Sequence, residues 1–264
     1  MNVELIRHDP DALTLLLGTK NTRLAHDADP AAMSEEERME HLAYMRDTIK
    51  SSWEFVDYVF KISGVSRAFT HQFVRTRTGS YAQESQRTVD VSGNGWLSLS
   101  VPEHGPNKEY NPDVPKAVQR NALYDSTCAH AFDAYSSLVN AGMPVQDARG
   151  VLPTATLTSI TAKFNLRTLH EMAKLRLCVR TQGEYQDVFR AMREAVVAVH
   201  PWAAEFLEVH CVSTGTCAFP RYGKTSCPVY LPEMDRTETK EKAKIIFWQL
   251  RHVAVPVAKD GRTM

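Results

Sequence analysis

The sequence predicts an α+β fold in one domain spanning residues 1–264, and three observations carry that expectation. Val56, Tyr58, Phe60 and Ile62 alternate with Asp57 and Lys61, the period of a strand with one buried face. Ser34-Glu35-Glu36-Glu37 is a capping-box start, with Ser34 as N-cap and Glu37 at the third helical position. No linker-like run of Gly, Ser or Pro divides the chain, and no internal repeat is present.

Taken in order, residues 2–7 read as a strand and Pro10 to Leu17 as a short helix ending at Gly18. The capped helix from Ser34 runs toward Ile49 on the stripe Met39, Leu42, Met45, Ile49. After the strand at 56–62, Ser66 caps a short helix to Val74 that turns Ala68, Phe69 and Phe73 inward. Gln86 to Ser92 and Trp96 to Val101 read as strands around the turn Gly93-Asn94-Gly95. Pro102 to Pro115 is loop-like. A long helix covers Val114 to Asn140 on the stripe Val118, Leu123, Phe132, Tyr135, Leu138, with Gly142 near its end. Thr154 to Ala162 is strand-like and leads into a helix opening at Asn165. Helices follow at Glu184 to Val199 and, after Pro201, at Trp202 to Val209.

Composition narrows the function. Lys plus Arg equals Asp plus Glu at 31 each, and hydrophobic residues make up 43% of the 264. A neutral chain without a basic stripe is not a dedicated nucleic-acid binder, whereas local basic clusters suit a small anionic ligand. No signal-peptide pattern and no membrane-length apolar run is present, so the expectation is a cytoplasmic protein without a membrane partner, its five cysteines reduced. His210, Cys211, Cys217 and Cys227 raise the question of zinc. They lack a Cys-x-x-Cys pair, and the sequence is read without a metal site.

The chemistry concentrates in Arg75-Thr76-Arg77-Thr78-Gly79-Ser80-Tyr81-Ala82-Gln83-Glu84-Ser85-Gln86-Arg87. Three arginines emerge where a short helix runs out into a polar loop. Guanidinium forks offer several fixed donors to phosphate or another planar anion. On residue types alone the block is either an anion site or a solvated surface loop.

This block resembles the signature of the flavin-dependent thymidylate synthases, the ThyX family: Arg-His-Arg, seven residues, Ser, then x-Arg-Tyr. Arg75, Arg77, Ser85 and Arg87 fall on it without a gap, and the lead-in from Gly64 to Val74 is similar to that of actinobacterial members. Thr76 stands where the family has His, and Thr88 where it has Tyr or Phe. Upstream, Glu54 matches a family carboxylate near the flavin and Ser51 a Thr or Ala; Ile49 and Phe55 replace two family His residues. Read without the resemblance, Glu54 is an ordinary polar strand residue.

A second block follows in the family's order. Gln146 to Pro153 resembles the family's Ala-Arg-x-x-Leu-Pro, with Arg149 in the nucleotide-phosphate position. Asn165, Arg167 and Arg176 match, in type and spacing, an Asn-x-Arg that binds flavin and an Arg that contacts the pyrimidine. Read alone, Arg176 is a surface helix residue. Arg167 and Arg176 lie about 2.5 turns apart, so only a splayed or broken helix is expected to turn both to one site. Gln182-Gly183-Glu184-Tyr185 is similar to the family's Gln-Trp-Glu-Ile, and Arg180 stands at a family His position. The likeness spans about Ile49 to Val199.

The resemblance implies a central antiparallel sheet flanked by helices, and reductive C5-methylation of a uridine 5′-monophosphate. Methylenetetrahydrofolate would give the carbon, and NADPH would reduce through FAD. It implies that Gln72, Arg75, Ser85, Arg87, Arg149 and Arg176 bind the nucleotide. Ser51, Glu54, Arg75, Thr76, Arg77, Asn165, Arg167 and Arg180 would hold the flavin. Arg176 and Ser85 carry the catalytic expectation, Ser85 as a positioning donor, since a nucleophilic Ser needs an adjacent base and no His lies near it in sequence. Family members are homotetramers with shared sites. The lost rings at 49, 76 and 88 open space for a ribose 2′-OH, as in the uridylate C5-methylases of nucleoside-antibiotic pathways, so UMP stands beside dUMP as substrate. The competing class is a non-catalytic nucleotide- or flavin-binding relative.

Overall fold

The computed structural model describes residues 1–24, 29–48, 50–98, 114–227 and 229–230, with short pieces at 237–238, 241 and 255–257. Ile49, residues 99–113 and most of the tail lie outside the described residues, and with them the expected 99–101 strand end and 102–113 loop.

Strands β1 (Asn2–His8), β2 (Asp57–Ser66), β3 (Ser80–Gln83) and β5 (Leu157–Asn165) form one sheet in the order β1-β2-β5-β3. Every neighbouring pair is antiparallel, in agreement with the expected central sheet. A short β4 (Trp96–Ser98) pairs with β6 (Val255–Val257). Register follows the apolar pattern. Tyr58 faces Phe164, Phe60 faces Ala162 and Ile62 faces Ile160, so both strands bury the same face. A bulge between Ser63 and Val65 then re-phases β2. Gly64 makes it possible with φ of 66°, and a Cβ there would stand 3.2 Å from the Met1 backbone nitrogen.

Helices α6 (Leu166–Arg176) and α7 (Gly183–Val199) cover that buried face. Leu166, Leu169 and Ala173 join Tyr185, Val188, Phe189, Met192 and Val196 in the main core. Helix α4 (Val114–Asn140) makes smaller clusters with Trp96, Ala155 and Val91 through Cys128, Phe132 and Tyr135. No helix among the described residues is long and apolar enough to cross a membrane.

Several local expectations need correction. Helix α1 runs from Ala12 to Leu24, straight through Gly18, where even an added Cβ would meet the Pro30 ring at no more than ordinary contact, 3.9 Å. Residues 86–92 turn instead of forming a strand: Val89 N–H donates to the Ser85 carbonyl, and the Asp90 carboxylate accepts Ser92 N–H, so side chain and turn take the donors a ladder would need. Residues 202–209 form a 3-10 turn at Pro201–Glu205, followed by α8 (His210–Thr214). Lys50–Phe55 is likewise 3-10, so Glu54 is not a strand residue. Val118 and Leu123 are exposed because α4 meets the described core only from Tyr124 onward; Met39 of α2 (Glu35–Thr48) is exposed too. The capping box holds as read: Ser34 N–H donates to the Glu37 carboxylate at 2.8 Å, and Glu37 N–H to Ser34 Oγ at 3.3 Å.

Helix α3 (Arg67–Phe73) is capped by Ser66, whose Oγ accepts Phe69 N–H at 3.0 Å. The buried Glu184 carboxylate reaches across from the first turn of α7 and accepts both Ser66 N–H, at 2.6 Å, and Ser66 Oγ–H, at 2.5 Å. Burial raises the Glu184 pKa above its usual value, and the two Ser66 bonds pull it partway back. A raised folded pKa means the group contributes most below its unfolded pKa, and that contribution is lost as pH rises through the folded value. Glu184→Ala is therefore expected to lose about 1–3 kcal/mol in acid, below the unfolded pKa where that contribution is full, by leaving the Ser66 donors without a partner, and less at neutral pH. Denaturant titrations across pH should find that the variant also lacks the fall in stability between the unfolded and folded pKa; an unchanged midpoint and slope would refute the role.

Candidate active site

The arginine block begins where α3 ends. Four consecutive turns follow, with Val74, Arg75, Thr76 and Gly79 N–H donating to the Thr70, Gln72, Phe73 and Thr76 carbonyls. Tyr81 on β3 pins them: its Oη lies 2.6 Å from the Thr76 carbonyl and 3.1 Å from that of Phe73. Gly79 closes the loop onto the sheet, since a Cβ there would come within 2.4 Å of the Phe164 ring. Thr76, half-buried, and Thr78 turn to one side, while Arg75 and Arg77 are exposed.

That side is a cavity of about 680 Å³ lined by Glu54, Thr76, Thr78 and Asn165, and by Arg167, Thr168, Glu171, Met172, Leu175 and Arg176 along α6. The helix is unbroken, which corrects the expectation that Arg167 and Arg176 need a splayed one. At about 3.6 residues per turn the six helix positions fan across half the circumference, so the two arginines flank one broad cavity. Asn165 is the N-cap, and its Oδ1 accepts Thr168 N–H at 2.8 Å. Arg167 Nη1 donates to the Glu54 carboxylate at 2.5 Å, across two half-exposed side chains. Arg176 instead lies over the Tyr185 ring, its guanidinium carbon 4.3 Å from the centroid. Tyr185 is fully buried; among the described residues its Oη makes no hydrogen bond of normal geometry, although Thr76 and Arg176 lie close enough to act on it. Burial pushes that phenol up, while neighbouring Arg176 and Thr76 pull it partway back.

A second cluster gathers around Gln146. Arg87 Nε donates to the Gln146 side-chain oxygen at 3.3 Å, and Arg149 Nε to the Gln146 carbonyl at 3.0 Å. Ser85 Oγ accepts Arg87 N–H at 3.2 Å; no base is among its hydrogen-bond partners in the described residues. Arg67 Nη1 donates to the Glu84 carbonyl at 3.2 Å, and its pKa is lowered by burial and by the charge of Arg149.

The structure thus brings Glu54, Thr76, Asn165, Arg167 and Arg176 to one cavity, and Ser85, Arg87 and Arg149 to a separate cluster. Gln72 joins neither: its amide donates to the Gln182 side chain at 2.6 Å, between α3 and α7. Arg75, Arg77 and Ser51 do not line the cavity. Nor does Arg180, whose guanidinium lies 4.4 Å over the Phe219 ring. Arg67, Gln146 and Tyr185 escaped sequence reasoning. Arg67 carried a usable signal, a cation in the first turn of a helix, where the macrodipole disfavours it. Tyr185 carried another, standing where the resembled motif has Ile.

Comparison with known proteins converges on one family. Residues 4–202 match the family model described as Thy1, thymidylate synthase complementing protein. A flavin-dependent thymidylate synthase of Sulfurisphaera tokodaii is 30% identical over 221 residues, covering 80% of this chain and 79% of the relative. One from Geobacter sulfurreducens is 36% identical over 176 residues, covering 67% and 70%. Among solved structures, a UMP/dUMP methylase, PolB from Streptomyces cacaoi bound with 5-Br dUMP, superposes with a TM-score of 0.67 at 21% identity. That match covers 78% of this chain and 93% of the other, and supports the α+β fold. With three quarters of its length in the family model, and relatives of 30% and 36% identity over two thirds or more of the chain, the chain belongs to the flavin-dependent thymidylate synthase family.

Proposed function

We propose that the chain catalyses flavin-dependent reductive methylation at C5 of a uridine 5′-monophosphate, with methylenetetrahydrofolate as carbon donor and NADPH as reductant. The observation that carries this reading is the arginine pair flanking one cavity, Arg167 tied to a carboxylate and Arg176 braced on a ring. The residues fit FAD: charged and apolar groups line the cavity together. The flavin, when bound, supplies the redox chemistry. Asn165 spends its oxygen on the helix cap and keeps its amide N–H groups for the cofactor. Glu54 holds Arg167 in place beside it.

Arg87 and Arg149 engage Gln146 only through Nε, which leaves their terminal nitrogens for a phosphate. Ser85 orients Arg87 through its backbone and acts as a positioning donor. Arg176 holds the uracil carbonyls and stabilises charge growing on the ring. Arg176→Ala is expected to lower turnover on the order of 100-fold, from the loss of about 3 kcal/mol of transition-state stabilisation, with flavin content nearly unchanged. Single-turnover absorbance of the flavin separates the two effects; an unaltered rate would remove Arg176 from the reaction.

The phosphate cluster and the cavity have no lining residue in common, which supports an active site shared between chains of a homotetramer. Arg87→Ala and Arg176→Ala proteins, each strongly impaired alone, are then expected to recover a fraction of wild-type activity when unfolded and refolded together. Refolded mixtures that stay inactive while assembling normally would place all groups of a site on one chain.

Thr88 follows Arg87 directly and is exposed, and Thr76 lines the cavity. A hydroxyl in place of a ring gives a ribose 2′-OH both room and a partner, and such changes shift selectivity by about 1–3 kcal/mol. With FAD, NADPH and methylenetetrahydrofolate, we expect 5-methyl product from UMP at a rate comparable to that from dUMP, and Thr88→Tyr should depress UMP turnover more. A strong dUMP preference would overturn ribonucleotide use. NADPH oxidation without methylated product from either nucleotide would overturn the function.

A further inference from the structure

The arginine cluster outside the cavity is built from two turns, whose residues Arg87 and Gln146 are 59 positions apart in the chain. One turn begins at Ser85, whose carbonyl accepts Val89 N–H at 3.0 Å. The other is α5 (Val145–Ala148), which opens with Asp147 and Ala148 N–H both donating to the Pro144 carbonyl, at 2.9 and 3.0 Å. Val91 after the first turn, Ala148 in the second and Tyr135 of α4 are fully buried and pack as one cluster apart from the main core. Val91 N–H donates to Tyr135 Oη at 3.4 Å, and Tyr135 Oη–H donates to the Asp90 carboxylate at 3.1 Å. Helix α4 therefore holds both turns in one fixed relation.

Gln146 joins the two arginines across that relation. Its side-chain oxygen accepts Arg87 Nε–H at 3.3 Å, and its main-chain carbonyl accepts Arg149 Nε–H at 3.0 Å. A guanidinium has donors and no acceptor, so only the oxygen end of the amide can face Arg87. The guanidinium is planar, and a bond at Nε therefore fixes the direction of its terminal nitrogens as well. Both acceptors are neutral, so neither bond cancels the charge it orients. The two bonds differ in origin. A substitution at 146 removes the acceptor of Arg87 and leaves the main-chain acceptor of Arg149 in place.

We propose that Gln146 is a positioning residue for the nucleotide's phosphate, acting through the Arg87 guanidinium. The proposal rests on the reading of this cluster as the phosphate end of a uridine 5′-monophosphate site. A phosphate monoester is doubly charged and accepts several hydrogen bonds at once, and a guanidinium serves it best when its free edge is oriented beforehand. The neutral amide is the determining feature. A carboxylate at 146 would orient Arg87 equally well, but it would pair with the charge and repel the phosphate. An alanine would leave the charge and release the orientation. Gln146 and Arg87 are both exposed, so substitutions at either leave the packing of the Val91, Tyr135 and Ala148 cluster untouched.

Calorimetric binding of dUMP and of 2′-deoxyuridine to the purified full chain tests this. Gln146→Ala is expected to weaken dUMP by about tenfold, the scale of one lost hydrogen bond. Gln146→Glu should weaken it further, and neither change should alter binding of the nucleoside, which has no phosphate. In steady-state assays the loss should fall on KM for the nucleotide and not on kcat. Arg87→Lys keeps the charge but has no planar fork to orient, so adding Gln146→Ala to it should cost little more. Equal dUMP affinity in wild type and both Gln146 variants would overturn the role, and so would equal losses for nucleotide and nucleoside. Gln146→Glu binding dUMP as well as wild type would overturn the argument from charge. Wild-type protein that binds dUMP no more tightly than the nucleoside would overturn the phosphate site and this proposal with it. The expected binding pattern in a chain that forms no methylated product would overturn the reaction alone and leave the assignment of Gln146 standing.

Discussion

The contact on which both motif blocks depend is the buried Glu184 carboxylate on Ser66. Burying a carboxylate is costly unless its oxygens are satisfied, and here one residue satisfies both, through its amide and its hydroxyl. Ser66 is the cap of the helix whose far end releases the arginine block. Glu184 lies in the first turn of the helix that follows the second block, next to the tyrosine beneath Arg176. One short joint thus sets the arginine loop against the end of α6, although the two are about a hundred residues apart.

The legible parts of the fold were those written in local periodicity and caps. Alternation at 56–62 gave the central strand, Ser34 and Glu37 gave a helix start, and Ser66 capped as read. The misread parts have other causes. Gly18 looked like a stop, but a glycine within a helix costs only about 1 kcal/mol, and α1 continues through it to Leu24. Residues 86–92 have strand-like composition, but Ser85 and Asp90 intercept their backbone donors. The site divides the same way. Arginine positions followed from spacing, whereas Gln146, Arg67 and Tyr185 matter through what they touch across the fold.

Electrostatics explains how a neutral chain keeps its arginines available. Glu84 is the one carboxylate within the arginine block, yet its oxygens are taken by the Asn94 side chain at 3.0 Å and Ser159 N–H at 3.2 Å. It serves chiefly as a fastener between the loop and β5, while its charge also favours the neighbouring Arg67 guanidinium. Arg67 meets only its carbonyl. Arg87 and Arg149 are oriented by the neutral Gln146. A carboxylate at 146 would fix the same geometry but would occupy the charge that a phosphate needs. An amide fixes geometry and leaves the charge in place.

The cavity applies the same logic asymmetrically. Arg167 is paired with Glu54, so its charge is largely spent and its guanidinium is immobilised. Arg176 has no carboxylate partner among the described residues; Tyr185 holds it through the ring face, and Glu171 across the cavity is engaged by Lys174 at 3.1 Å. A cation–π contact constrains position while cancelling little of the charge, whereas an ion pair constrains position by cancelling it. An anchored neutral pair suits a cofactor that must stay bound through turnover. An anchored free cation suits a ring on which negative charge appears only transiently, because its donors are already oriented when that charge develops.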